Sequence, residues 1–255
     1  MKTFIQNRHG QKLAVVVEQP KQPTGLAFVM HGLGGFKEQP FIRTAAGTLL
    51  DYGYTVVTFD TTNTFGESDG DYADATTTNY YEDLEDVIAW AMKQSWYIEP
   101  FILAGHSLGG ICTALYAEQY PTKVKAPFPA STVVSGKLSL QSEDPKALAE
   151  WKQTGWQEEP SRSKPGVMKR LKWSHMEDRQ KYNLLPNIGK LTMPVLLVVG
   201  QHDESTPVQH QQLLYEALPG SKEIHIIKGA PHTFRDPKHL QEIHQIVNNW
   251  LKKVA

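Results

Sequence analysis

A serine set among glycines, Gly105-His106-Ser107-Leu108-Gly109-Gly110, follows directly on the apolar run Phe101 to Ala104 and leads into a segment of helical period near Ile111. In a strand, tight turn and helix of this kind a serine can act as a nucleophile. Side chains two residues before or after it would collide with the neighbouring strand and helix, and glycine removes them. The turn lifts the hydroxyl above the sheet, while the helix N-terminus offers N–H groups and a positive dipole end to an oxyanion.

A serine hydroxyl is a poor nucleophile at neutral pH and needs an imidazole to accept its proton and a carboxylate to orient that imidazole. Both belong in loops beyond the C-terminal ends of sheet strands. The apolar run Pro194 to Val199 is followed by Gly200-Gln201-His202-Asp203-Glu204, which puts Asp203 just past a strand end, with Glu204 as the alternative acid. The strand Glu223 to Ile227 is followed by Lys228-Gly229-Ala230-Pro231-His232, which gives His232 the equivalent place. The order Ser107, Asp203, His232 suits such a triad. Of the other histidines, His225 falls inside a strand, His239 and His244 on a helix surface and His9 in a turn. His202 adjoins Asp203, and sequence neighbours on one loop rarely reach each other across a distant serine.

Backbone donors for the oxyanion are expected from two places. The run Leu26 to Met30 enters His31-Gly32-Leu33-Gly34-Gly35, where glycines let the chain turn inward close to a substrate carbonyl. The N–H groups of Leu33 and Leu108 are the expected pair, with His31 bracing the loop.

These residues need a scaffold. A hairpin of Thr3 to Arg8 and Leu13 to Glu18, turned at His9-Gly10, opens the chain. Apolar runs then alternate with helical segments: strands at Leu26–Met30, Val56–Phe59, Phe101–Ala104, Thr132–Val134, Pro194–Val199 and Ile224–Ile227, and helices at Ile42–Asp51, Tyr80–Lys93, Leu108–Tyr120, Gln209–Ala217 and Leu240–Lys252. Runs apolar on both faces suit central strands of a parallel sheet covered by helices. Eight strands with helices in the intervals make an open α/β sheet, and 255 residues fit one such domain.

The stretch 137–187 interrupts this rhythm. It far exceeds the roughly 2 to 6 residues of an ordinary connection, so it should carry its own helical structure or act as a lid. Trp151, Trp156 and Trp173 lie in it, three of the six tryptophans, placed to line an acyl or aryl pocket or to pack the insertion onto the body. Arg162, Lys164, Lys169, Arg170 and Lys172 make its second half basic, which suits a solvated face or an anionic substrate group.

Composition narrows the classes. With 26 Lys plus Arg against 27 Asp plus Glu there is no electrostatic footprint for nucleic acid. Cys112 is alone, so neither a disulfide nor a cysteine zinc site is expected. The N-terminus is broken by polar residues before an apolar leader could form, and the longest aliphatic run, Val195 to Val199, falls far short of a membrane span of about 20 residues. A soluble, cytoplasmic protein acting on a small molecule is expected, without integral membrane association. The sequence leaves the oligomeric state open.

Taken together, His31-Gly32-Leu33-Gly34-Gly35, Phe59-Asp60 followed by Phe65-Gly66-Glu67-Ser68-Asp69-Gly70, Gly105-His106-Ser107-Leu108-Gly109, Asp203 and His232 resemble the serine esterases and lipases of the α/β-hydrolase superfamily. Gly66-Glu67-Ser68-Asp69-Gly70 and the insertion are similar to features of bacterial cinnamoyl and feruloyl esterases and of monoacylglycerol lipases, although Asp60-Thr61-Thr62-Asn63-Thr64-Phe65-Gly66 departs from the common D-x-x-G-x-G-x-S run. The resemblance implies the α/β-hydrolase fold: a mostly parallel eight-stranded sheet flanked by helices, with a lid between strands six and seven. It implies hydrolysis of small acyl or aryl esters through an acyl-serine, with no metal and no organic cofactor. Amides, thioesters and carbon–carbon bonds are alternative targets, as is a non-catalytic ligand-binding member.

Overall fold

The computed structural model describes residues 1–161 and 166–254. Arg162 and Lys164 of the basic segment lie outside the described residues. In chain order the elements are β1 (Lys2–Gln6), β2 (Lys12–Glu18), β3 (Gly25–Met30), α1 (Pro40–Asp51), β4 (Tyr54–Phe59), α2 (Thr77–Ala91), β5 (Phe101–His106), α3 (Leu108–Gln119) and β6 (Val124–Ala130). There follow α4 (Gly136–Ser142), α5 (Pro145–Thr154), β7 (Trp156–Pro160), β8 (Met168–Lys172) and α6 (Ser174–Arg179), and then β9 (Val195–His202), α7 (Val208–Ala217), β10 (Lys222–Pro231) and α8 (Pro237–Val254).

Eight strands form one sheet in the order β1-β2-β4-β3-β5-β6-β9-β10. The β1–β2 hairpin joins antiparallel to β4, and every pairing from β4 to β10 is parallel. This is the α/β-hydrolase fold expected from the sequence.

Burial explains the layout. Each residue of β4 and of β5 is buried, because helices cover both faces of the sheet there. On one face Leu84, Val87 and Ile88 of α2 and Ile111 and Ala114 of α3 pack with Phe28, Val57 and Leu103 of the sheet. On the other, Phe41, Ile42 and Leu49 of α1 and Val247, Trp250 and Leu251 of α8 pack with Val29, Ala104 and Phe128. The sheet thus lies between two apolar layers, and its strand ends are left to carry loops.

The sixth strand corrects the sequence reading. It was expected at Thr132–Val134, yet it runs Val124–Ala130 and contains Pro127 and Pro129. Proline lacks the N–H a central ladder needs, so the segment reads as non-strand in isolation. Ser107 N–H donates to Ala130 C=O on the β5 side, and Ser131 N–H donates to Val198 C=O on the β9 side. By alternation both prolines face β9, where the ladder pairs only Ala130 with Val198. The missing donors fall where few bonds are made.

Between β6 and β9, the sixth and seventh strands of the sheet, the chain builds α4, α5, the antiparallel hairpin β7–β8, and α6. Asp144 caps α5 by accepting from Lys146 N–H and Ala147 N–H, and Gly155 ends it at φ +77°. The helical structure expected there is present; the hairpin was not foreseen, because half of the residues in its strands are charged.

Candidate active site

Ser107 joins β5 to α3 with φ +55° and ψ −116°, a strained backbone for a residue with a side chain. Neighbouring glycines make it possible. A Cβ on Gly105 would sit 2.4 Å from Gly109 O, and one on Gly109 would sit 2.3 Å from His31 O. The collisions anticipated from sequence are therefore with backbone, which cannot swing aside.

The structure brings His232 and Asp203 to this serine from two further strand ends. His232 Nε2 lies 3.0 Å from Ser107 Oγ, and His232 Nδ1 lies 2.9 Å from Asp203 Oδ2. A carboxylate can only accept, so Nδ1 carries the proton and Nε2 presents its lone pair to the hydroxyl. Asp203 is held in turn: Oδ1 accepts from Ser205 N–H and Thr206 N–H, and Oδ2 from the Thr206 hydroxyl at 2.9 Å. Burial pushes its carboxyl up, but the hydrogen bond and charge of His232 and the Thr206 N–H outweigh this and hold it below the ordinary value. Glu204 and His202 are exposed, and among the described residues neither bonds to His232 or Ser107.

Two more histidines shape the surroundings. His31 is fully buried; its Nδ1 donates to Gly32 C=O at 2.8 Å, and its Nε2 accepts from Thr61 N–H at 3.1 Å. It braces the glycine loop, as expected, and burial lowers its pKa so that the neutral ring persists. His106 donates from Nε2 to the carbonyl oxygen of His232. Nothing in the sequence marked that contact, whereas the support from Thr206 follows a familiar pattern of a hydroxyl a few residues beyond an aspartate.

A Cβ on Gly32 would lie 2.9 Å from Ser107 Cβ, so the glycine loop presses against the serine. Among the described residues neither Leu33 N–H nor Leu108 N–H has a hydrogen-bond partner. Leu33 lines the cleft that contains Ser107, and Leu108 opens α3 directly behind it. Two free donors beside a nucleophile can stabilise negative charge on a carbonyl oxygen.

That cleft is about 330 Å³ and is also lined by Tyr72, Glu143, Trp151, His175 and Arg179. Of the three tryptophans, Trp151 reaches it, donating from Nε1 to Leu171 C=O at 3.1 Å. Trp173 packs edge-on against Trp151 at 5.6 Å, and Trp156 lies on a separate outer depression with Arg170 stacked at 4.5 Å. Neither lines the Ser107 cleft, so the sequence expectation for these two becomes packing within the insertion. The described residues of the basic run are matched: Lys169 pairs with Glu159, Arg170 with Glu158 and Lys172 with Asp74. Among the described residues no group of three His, Cys, Asp or Glu side chains could hold a metal, and no helix is long and apolar enough to cross a membrane.

Comparison with known proteins adds a family. The prolyl oligopeptidase family matches residues 43–255, a span that includes Ser107, Asp203 and His232 but begins after the glycine loop at 31–35. Est1E from Butyrivibrio proteoclasticus, solved with ferulic acid bound, is 22% identical with a TM-score of 0.84, covering 99% of this chain and 98% of that one. Alpha/beta hydrolase domain-containing protein 10 from mouse is 21% identical with a TM-score of 0.81 over 100% of both chains. The esterase domain of a Rhodothermus marinus protein is 18% identical with a TM-score of 0.71, covering 99% and 98%. At these identities the likeness is one of fold.

Proposed function

The chain belongs to the prolyl oligopeptidase family and is a hydrolase, and from that premise we propose that it is a serine esterase acting on small acyl or aryl esters. One observation carries this reading: Ser107 Oγ lies 3.0 Å from the acceptor nitrogen of His232, whose other nitrogen is held by Asp203. Ser107 attacks the ester carbonyl as its proton passes to His232 Nε2, while Leu33 N–H and Leu108 N–H receive the oxyanion. His232 then protonates the departing alcohol. Water, losing its proton to the same nitrogen, releases the acid from the acyl-serine. Asp203 keeps the imidazole in the required tautomer and balances its transient charge.

The chain works as one domain, with residues 137–187 capping the cleft and Trp151 supplying an apolar wall for the substrate. The likeness to an esterase domain supports ester cleavage, as does that to Est1E with ferulic acid, an aromatic carboxylic acid of the type an ester hydrolase releases. The family match favours amide cleavage as a second reading.

The test is labelling by a fluorophosphonate probe together with turnover of 4-nitrophenyl butyrate and of the matched anilide. The expected result is labelling that vanishes in Ser107→Ala and an ester rate well above the anilide rate. Unlabelled wild-type protein with no turnover of either substrate removes the reading.

A further inference from the structure

The cleft contains a cation that, among the described residues, no carboxylate contacts. Arg179, the last residue of α6, lines the same cavity as Ser107. Its Nε is buried with no hydrogen-bond partner, and among the described residues no carboxylate lies within 4.0 Å of the guanidinium. A guanidinium carries five donors and keeps its charge under ordinary conditions. Leaving the buried Nε–H unpaired is costly, and burial does press the pKa down, with Glu143 and Tyr72 opposing.

The other charges of the cavity do not satisfy it. Lys169 and Glu159 close on each other. Glu204 is exposed beside Asp203. Glu143 faces Arg179 from beyond ion-pair distance, and burial raises its pKa, which favours the neutral acid. His175 Nε2, nearby, is likewise buried without a partner.

The position of Arg179 is fixed rather than incidental. Asp178, the preceding residue, accepts from Thr78 N–H at 2.9 Å and from the Thr78 hydroxyl at 2.6 Å, which ties α6 to the start of α2. His175 Nδ1 donates to Ala75 C=O at 2.8 Å. Gly136 lets α4 abut the same turn, since a Cβ there would lie 2.2 Å from Arg179 O. A rigid mount for an unpaired cation is what a preorganised anion site requires.

We propose that Arg179 is a specificity residue and that the substrate is an ester bearing a carboxylate remote from the scissile bond, a proposal that rests on the esterase reading above. The carboxylate receives paired N–H bonds from the planar guanidinium, a geometry lysine does not reproduce. A cavity of about 330 Å³ suits a small acid of this kind.

The test measures kcat/KM on two matched pairs. Monomethyl adipate against methyl hexanoate places the carboxylate on the acyl side; 4-carboxyphenyl acetate against 4-carbamoylphenyl acetate places it on the leaving group. In at least one pair the anionic-to-neutral ratio is expected to fall roughly tenfold or more in Arg179→Met relative to the wild type, and less in Arg179→Lys. Comparison with the variant cancels the intrinsic reactivity of the esters. An unchanged ratio in both pairs, in a variant whose Tm matches the wild type, overturns the proposal; should Arg179→Met fail to accumulate, Arg179→Gln has the same two outcomes. If no ester is turned over and Ser107 takes no label, it is the esterase reading that fails. Calorimetric binding of adipate to wild type and variant then decides the anion site by itself, and equal or absent binding in both overturns it.

Discussion

His106 and His232 are joined by a hydrogen bond of 2.9 Å from the Nε2–H of the first ring to the backbone carbonyl of the second residue. The residue before Ser107 therefore holds the loop that carries His232. The bond requires a proton on Nε2, and burial together with the neighbouring His232 pushes the His106 pKa down to about 3, so the ring is the neutral Nε2–H tautomer at neutral pH.

A pH dependence of stability follows. A histidine whose folded pKa lies below the ordinary 6.5 contributes stability that is present above pH 6.5 and is lost as pH falls towards 3. At pH 5 the loss from His106 is about 2 kcal/mol, and buried His31 and His175 act in the same direction. Urea unfolding at pH 7 and pH 5 should show a larger drop for wild type than for His106→Gln. Equal drops would mean that the fold leaves the pKa of His106 at its ordinary value.

Asp203→Asn tests the orientation of the base. The amide cannot accept the Nδ1 proton with the same geometry and charge, so kcat for 4-nitrophenyl butyrate should fall by roughly 10⁴ while the circular dichroism spectrum is retained. A fall of less than about tenfold would place the acid elsewhere.

Gly109→Ala addresses the elbow. The added methyl meets His31 O at 2.3 Å and Met30 O at 2.9 Å, both backbone atoms. Overpacking of this kind costs about 1–3 kcal/mol or more, read as a lower urea midpoint, and esterase activity should fall with it because Ser107 must shift. A variant of wild-type stability would show that α3 slides freely against β3.

The tryptophans separate by burial. Trp151 is 3% exposed and bonded to Leu171 C=O, so Trp151→Ala should destabilise by about 3–5 kcal/mol. Trp156 lies on the outer side of the hairpin, and Trp156→Ala should leave kcat/KM for small esters within about twofold of wild type. A large kinetic effect at Trp156 would bring the outer depression into the substrate path.

What could be read in advance was whatever depends on local pattern. The serine turn was legible because glycines, an apolar strand and a helix adjoin in sequence, and Asp203 and His232 because each follows a strand end. The helices of the main body were found within a few residues of their limits for the same reason. Pro127 and Pro129 concealed β6, since their tolerance depends on which neighbour they face. The β7–β8 hairpin was hidden by its charge, which becomes sensible once Glu158 and Glu159 meet Arg170 and Lys169 across the strands. The role of His106 and the isolation of Arg179 are tertiary facts that no spacing encodes.

The sparse ladder between β6 and β9 lies under the middle of this machinery. Ser107 stands on one bank, at the end of β5, while Asp203 and His232 stand on the other, beyond β9 and β10. Cross-ties hold the banks together: Ala130 with Val198, Gln211 Nε2 to Thr132 C=O, and His106 Nε2 to the His232 carbonyl. Any loosening of that seam parts proton donor from acceptor while most of the protein is still intact, so warming should silence the enzyme before it melts.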